Sequence, residues 1–222
     1  MPTKEAVAWY KQTFGAPTAA AVQGTPFSAD LIVAVACQET GATWNVLRKK
    51  GLPAGKLLEL CVGDTLDADR GRSAFPKTKA DLLAAPRGQE MFDLAHQALV
   101  DMAVHIEGYK QVAKNPNKFC HGFGMFQYDI QFFPQDSDYF LQKKYAEFGA
   151  TLGKCISELK AAQKRNGWQA KTSLTEAEMI GVAIAYNTGS YDPAKGLKQG
   201  FNDGKFYGEH ISDFLHLSQT VN

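Results

Sequence analysis

The chain has 222 residues, 45% of them hydrophobic and 21% charged, which is enough apolar material for a core and excludes an intrinsically disordered protein. With 24 basic and 23 acidic side chains the net charge is +1, so no electrostatic footprint for a nucleic acid exists and none for an anionic surface. No apolar stretch reaches membrane-spanning length, and no membrane partner is expected.

In chain order, residues 4 to 14 read as a short amphipathic helix, followed by a Gly/Pro/Ala connector to about Phe27. Ser28 is placed to cap a helix over 29–40, with Asp30 in its first turn and Gly41 just past its end. Ile32, Val33 and Val35 keep a buried strand open there, because a short apolar run has no diagnostic period. Residues 62 to 78, "VGDTLDADRGRSAFPKT", read as an ordered polar loop. From Gln89 to Lys110 apolar residues step by three and four, the strongest helical pattern in the chain. Further helices are expected over about Ser137–Lys164, Thr175–Tyr186 (with Thr175 and Glu178 at capping-box spacing) and Tyr207–Leu217. No internal repeat or linker interrupts this pattern, which reads as one mainly α-helical domain over 1–222.

Cys37, Cys61, Cys120 and Cys155 are widely spaced and match no zinc pattern. Three full pairings are open to them, although Cys37 lies inside the apolar run and reads as a buried free thiol. The five histidines are scattered, and His210 and His216 are not at ligand spacing on one helix face. Neither a metal nor an organic cofactor is expected.

Three stretches carry candidate chemistry: "ETG" at 39–41, "HGFGMFQYD" at 121–129 and "AYNTG" at 185–189. Singly each is ordinary turn or helix-end chemistry. In this order they resemble the lysozyme-like superfamily of muramidases and lytic transglycosylases. The resemblance implies a lysozyme-like α-helical domain in which Glu39 is the catalytic acid. It also implies that Gly122, Gly124 and Gln127 form the turn lining a glycan groove, with Tyr186 and Asn187 beside the acid. Asp129, two residues after the glutamine, is similar to the goose-type lysozyme pattern, where an aspartate positions the attacking water. Phe123 and Tyr128 are expected to line the groove, and Phe132 and Phe133 to lie in the core.

The chain departs from that family in length. More than eighty residues separate Glu39 from Gly122, so about 42–118 reads as an atypical insertion packed on the domain. The goose-type pattern's other aspartate would fall near Lys118, which leaves Asp64, Asp67 and Asp69 as substitutes or as members of a solvated loop paired with Arg70 and Arg72.

The implied activity is cleavage of β-1,4 bonds between N-acetylmuramic acid and N-acetylglucosamine in peptidoglycan, without a cofactor. A second carboxylate about 6.5–9.5 Å from the acid would leave room for water and invert the anomeric centre. A lytic transglycosylase forming 1,6-anhydromuramic products, a chitinase and a non-catalytic glycan- or inhibitor-binding module stay open beside it. The start "MPTKEAVAWYKQTFGAP" lacks the apolar core of a signal peptide. A wall-cutting enzyme would then reach the wall through phage lysis, a secretion machine or a signal already removed. Delivery as an effector implies an immunity or inhibitor protein as a partner.

Overall fold

The computed structural model describes residues 2–202 and 204–221. The chain is mainly helical, with nine α-helices and five two-residue strands among the described residues. Its contacts divide it into two compact units, where the sequence suggested one domain with an insertion. The first joins the residues up to Gly41 with those from Leu152 onward, and the second is Ala42–Thr151.

The first unit is a helical bundle. Its helices are α1 (Lys4–Val22), the first half of α2 (Ala29–Lys49), most of α7 (Phe148–Arg165), α8 (Glu176–Thr188) and α9 (Tyr207–Gln219). Helix α1 is longer than expected and runs through Pro17. Proline in a helix removes a donor and crowds the preceding turn. Here Tyr10, Phe14 and Thr18 continue one buried face, and that burial outweighs the local penalty. Lys11 on this helix ties three elements together. Its ammonium meets Asp30 at 2.9 Å and the Ser218 carbonyl at 2.9 Å, while the Ser218 hydroxyl donates to Asp30 at 2.6 Å.

Helix α2 begins as expected, with the Ser28 hydroxyl accepting from the Leu31 amide at 3.1 Å. It does not end at Gly41. Trp44 and Leu47 extend its buried face and are fully inaccessible, and the chain turns only at Gly51, whose φ of +73° suits glycine. Gly41 has a packing role instead: a Cβ there would sit 2.4 Å from Cγ of Pro2.

The second unit contains α3 (Ala54–Glu59), β1 (Val62–Gly63), α4 (Lys79–Leu83), α5 (Gly88–Ala103), β2 (Gly122–Phe123), β3 (Tyr128–Asp129) and α6 (Ser137–Leu141). Strands β1, β2 and β3 form a small antiparallel sheet, with Val62 opposite Phe123 and Gly122 opposite Asp129. Helix α5 buries Met91, Phe92, Ala95, Leu99 and Met102 along the predicted face. It stops at Ala103, and Ile106 and Tyr109 belong to the turns beyond it. The long helix expected over 137–164 is broken. Lys143 adopts a left-handed φ of +53°, so α6 ends at Leu141 and α7 starts at Phe148. The break lets Tyr139, Phe140 and Tyr145 all turn inward, which one straight helix face cannot do.

In the first unit, β4 (Phe201–Asn202) and β5 (Lys205–Phe206) make a two-stranded ribbon leading into α9. All four cysteines are buried free thiols, which agrees with the reading of Cys37 and forms no disulfide.

Candidate active site

Glu39 lies in the middle of α2, two residues before the Pro2-covered Gly41. Seven residues upstream of it on the same helix, Leu31 to Cys37, are all buried, so the carboxyl leaves an apolar environment. The residue as a whole is half-buried, with protein packed around its carboxyl. Burial pushes its pKa up to about 7, and a hydrogen bond from Tyr207 partly counters that rise.

That hydrogen bond is the central contact of the site. The Tyr207 hydroxyl donates to Oε1 of Glu39 at 2.7 Å across 168 residues of sequence. Tyr207 is the first residue of α9 and is 2% exposed. Burial, followed by the nearby Glu39 charge, drives its own hydroxyl far above the ordinary tyrosine range, so it stays protonated and remains a donor. The Tyr186 and Cys155 side chains are close enough to Tyr207 to add to the same electrostatic field.

A tight turn holds Tyr207 in place. Its backbone amide donates to the Gly200 carbonyl at 2.8 Å. Gly200 has a φ of +68°, and a Cβ there would lie 2.9 Å from Tyr207 Cβ, 3.0 Å from Thr188 Cγ2 and 3.3 Å from Asn187 Oδ1. Only glycine fits between the end of α8 and the start of α9. The expected pair Tyr186 and Asn187 thus stands at the C-terminal end of α8, where Gly189 closes the helix at φ +85°. Tyr186 is half-buried and Asn187 exposed. The structure brings Glu39, Tyr186, Asn187 and Tyr207 into one unit. Tyr207 went unnoticed in the sequence because nothing in its spacing marks a partner so far upstream.

The "HGFGMFQYD" residues belong to the second unit and form a β-hairpin. Its loop closes with the Gln127 amide donating to Gly124 O at 3.0 Å. Gly124 has a φ of +79°, and a Cβ there would meet Thr151 Oγ1 at 2.4 Å. The Gln127 side chain folds back on its own hairpin, donating to Gly124 O at 2.9 Å and Cys61 O at 3.4 Å. A Cβ on Gly122 would lie 2.2 Å from its Oε1. Gly122 therefore makes room for Gln127, whose side-chain amide holds the turn together, and Gly124 makes room for Thr151.

Two aromatic expectations are reversed. Phe123, expected in a groove, is fully buried, with its ring 5.4 Å from Phe140 and 5.1 Å from Tyr145. Its position opposite Val62 in the sheet points it into the core. Phe132, expected in the core, is half-buried and stacks on half-buried Tyr128 at 4.7 Å. Phe133 is buried as expected.

Asp129 is clamped. Arg72, whose side chain is 6% exposed, donates Nη2 to Oδ1 at 2.7 Å and Nη1 to Oδ2 at 3.1 Å. Oδ1 also accepts from the Gln131 amide at 2.7 Å, capping the next turn. Both oxygens are occupied, which suits a structural post better than a base free to accept a proton. Asp64 lies 3.5 Å from the same Arg72 and 3.6 Å from His121, a fully buried imidazole whose ring nitrogens have no hydrogen-bond partner. Burial raises the Asp64 carboxyl, but His121, the Leu66 amide and Arg72 together bring it below the usual range. Asp67 pairs with Lys118 at 2.6 Å, while Asp69 sits in an exposed turn. Asp64 and Asp67 are thus tied to Arg72, His121 and Lys118, whereas Asp69 joins none of these pairs and Arg70 takes no part.

Among the described residues, no three His, Cys, Asp or Glu side chains gather as metal ligands. No helix among them is long and apolar enough to cross a membrane. No known family model, curated protein or solved structure matches this chain, so the reading of the site rests on its residues.

Proposed function

We propose that the chain is a lysozyme-like glycosidase that cleaves β-1,4 bonds of peptidoglycan glycan strands, with Glu39 as the general acid. The observation that carries this reading is the state of Glu39: a carboxyl surrounded by protein, with a pKa of about 7 and one oxygen held by Tyr207. A group poised near neutrality is protonated often enough to donate and weak enough a base to let the proton go. Because Tyr207 donates to Oε1, the transferable proton resides on Oε2. From there it would pass to the glycosidic oxygen as an oxocarbenium-like transition state develops. Tyr186 and Asn187, at the end of α8, are the candidate contacts to the sugar on the acid's side. The scheme uses protein groups alone. Peptidoglycan is the proposed partner, and an immunity or inhibitor protein would accompany delivery of the enzyme as an effector.

A second reading has one observation in its favour. A hydrolase needs a base for water, and the expected one, Asp129, has both oxygens engaged by Arg72 and Gln131. In a lytic transglycosylase the muramic 6-hydroxyl attacks within the substrate, and Glu39, having given up its proton, can accept the hydroxyl's proton. One acid then suffices. Mass spectrometry of products from defined glycan strands decides between them. Reducing ends indicate hydrolysis, and products lighter by one water indicate the anhydro route. Cleavage of chitin oligosaccharides alone would move the substrate to unsubstituted N-acetylglucosamine chains. Equal activity of wild type and Glu39→Gln, or no activity from either, would sink the proposal.

A further inference from the structure

The second unit contains a cavity of about 170 Å³ that the proposed chemistry does not use. Leu94, Gln97, Ala98 and Asp101 supply one wall at helical spacing along α5, and Glu59, Leu60, Lys143 and Tyr145 supply the rest. Its floor is apolar, formed by Leu60, Leu94, Ala98 and the Tyr145 ring.

The polar groups around that floor are unequally satisfied. Glu59 is bracketed by Lys143 and Lys56, each at 2.8 Å, and these ammonium groups hold its carboxyl below the usual range. That cluster is closed on itself. Asp101 accepts only the Gln97 side-chain amide, at 2.7 Å, and has no cationic partner among the described residues. Tyr145 is 1% exposed and lines the cavity, and its hydroxyl makes no hydrogen bond to protein among the described residues. Burial pushes that hydroxyl up, and the nearby Glu59 and Asp101 charges push it further, so it remains a neutral donor and acceptor. A hydroxyl on a cavity wall with no protein partner is open to a hydrogen bond from a guest.

We propose that this cavity binds a primary ammonium group carried on an unbranched aliphatic stem, the chemistry of a lysine side chain. The stem lies on Leu60, Leu94 and Ala98. The ammonium offers three donors, and the lining residues present matching acceptors in the Asp101 carboxylate, the Tyr145 hydroxyl and the Gln97 amide oxygen. Size supports this choice over a sugar. An apolar cavity of about 150 Å³ is filled by a single benzene, so this one accepts a short alkyl chain and not a pyranose. A buried aromatic also offers no face for a sugar to stack on. The site is independent of Glu39 and of the activity proposed for it.

The test is a proton–nitrogen NMR titration of the full chain with n-butylammonium chloride, with neutral n-pentanol and tetramethylammonium chloride run in parallel. Saturable shifts should cluster at Leu94, Ala98, Asp101 and Tyr145 with butylammonium, and be at least tenfold weaker with either control. Asp101→Asn should weaken binding about tenfold. Ala98→Phe, which fills the cavity from the helix side, should abolish binding while leaving the dispersed spectrum of a folded protein. Equal response to pentanol, unchanged binding by both variants, or no saturable shift would overturn the proposal. A final arm uses Nα-acetyl-lysine methylamide to separate the sources. Binding tighter than that of butylammonium identifies a polypeptide lysine as the guest, and equal binding identifies a free alkylammonium; either result keeps the site.

Discussion

Glu39→Gln should make this protein more stable at high pH while removing its activity. The substitution keeps the shape of the side chain and an oxygen for the Tyr207 hydroxyl, and it removes only the titration. Folding raises the Glu39 pKa from 4.5 to about 7, because burial disfavours the charged form. At about 1.4 kcal/mol per pKa unit, the ionised carboxylate destabilises the folded state by roughly 3 kcal/mol. The sign follows from the direction of the shift. The contribution is fully present below about pH 4.5, declines as the pH rises, and is lost above about pH 7. Urea denaturation of wild type and variant from pH 4 to 8.5 measures the difference directly. The two should coincide at the acid end, and the variant should gain up to about 3 kcal/mol at the alkaline end. A difference that does not change with pH would refute the claim that Glu39 is desolvated, and the general-acid assignment would go with it.

Three further outcomes can be checked. Asp129→Asn leaves the nearly buried Arg72 with Asp64 at 3.5 Å and the Phe75 and Pro76 carbonyls. It should cost about 2 kcal/mol, below the full penalty for an unpaired buried charge. Activity should fall only in step with the folded fraction, so a fully folded, inactive Asp129→Asn protein would return Asp129 to the water-activating role. Gly124→Ala places a Cβ 2.4 Å from Thr151 Oγ1 at a left-handed φ, and should destabilise by about 2 kcal/mol or more in a thermal melt. A melt unchanged from wild type would show that the hairpin tolerates a side chain there. Last, a thiol reagent should label none of the four cysteines in the folded protein and all four after unfolding, with no change on prior reduction. Rapid labelling of Cys37 in the native state would contradict its burial, which pushes its thiol up to about 12.

Local chemistry in the sequence settled much of the fold. The Ser28 cap, the Thr175–Glu178 capping box and the three-four stepping from Met91 to Met102 are interactions within a turn or two of chain, and they appear where the sequence placed them. Element ends were less legible, because distant packing decides them. Pro17 sits inside α1 because Phe14 and Thr18 are buried on either side of it. Gly41 does not stop α2, because Trp44 and Leu47 extend its buried face and Pro2 occupies the space a Cβ would fill. Phe123 entered the core for a similar reason: strand register, invisible in composition, sets it opposite Val62 with its ring inward.

By itself, the sequence determined the helical class and an acid following an apolar run at Glu39. The tertiary structure alone decided that acid's surroundings. Burial raises its pKa, and Tyr207, brought from the far end of the chain by the Gly200 turn, holds one of its oxygens. Folding likewise makes the candidate base Asp129 one half of an ion pair, because only folding brings Arg72 against it. A carboxylate's chemistry depends on its neighbours, and neighbours distant in sequence are chosen by packing.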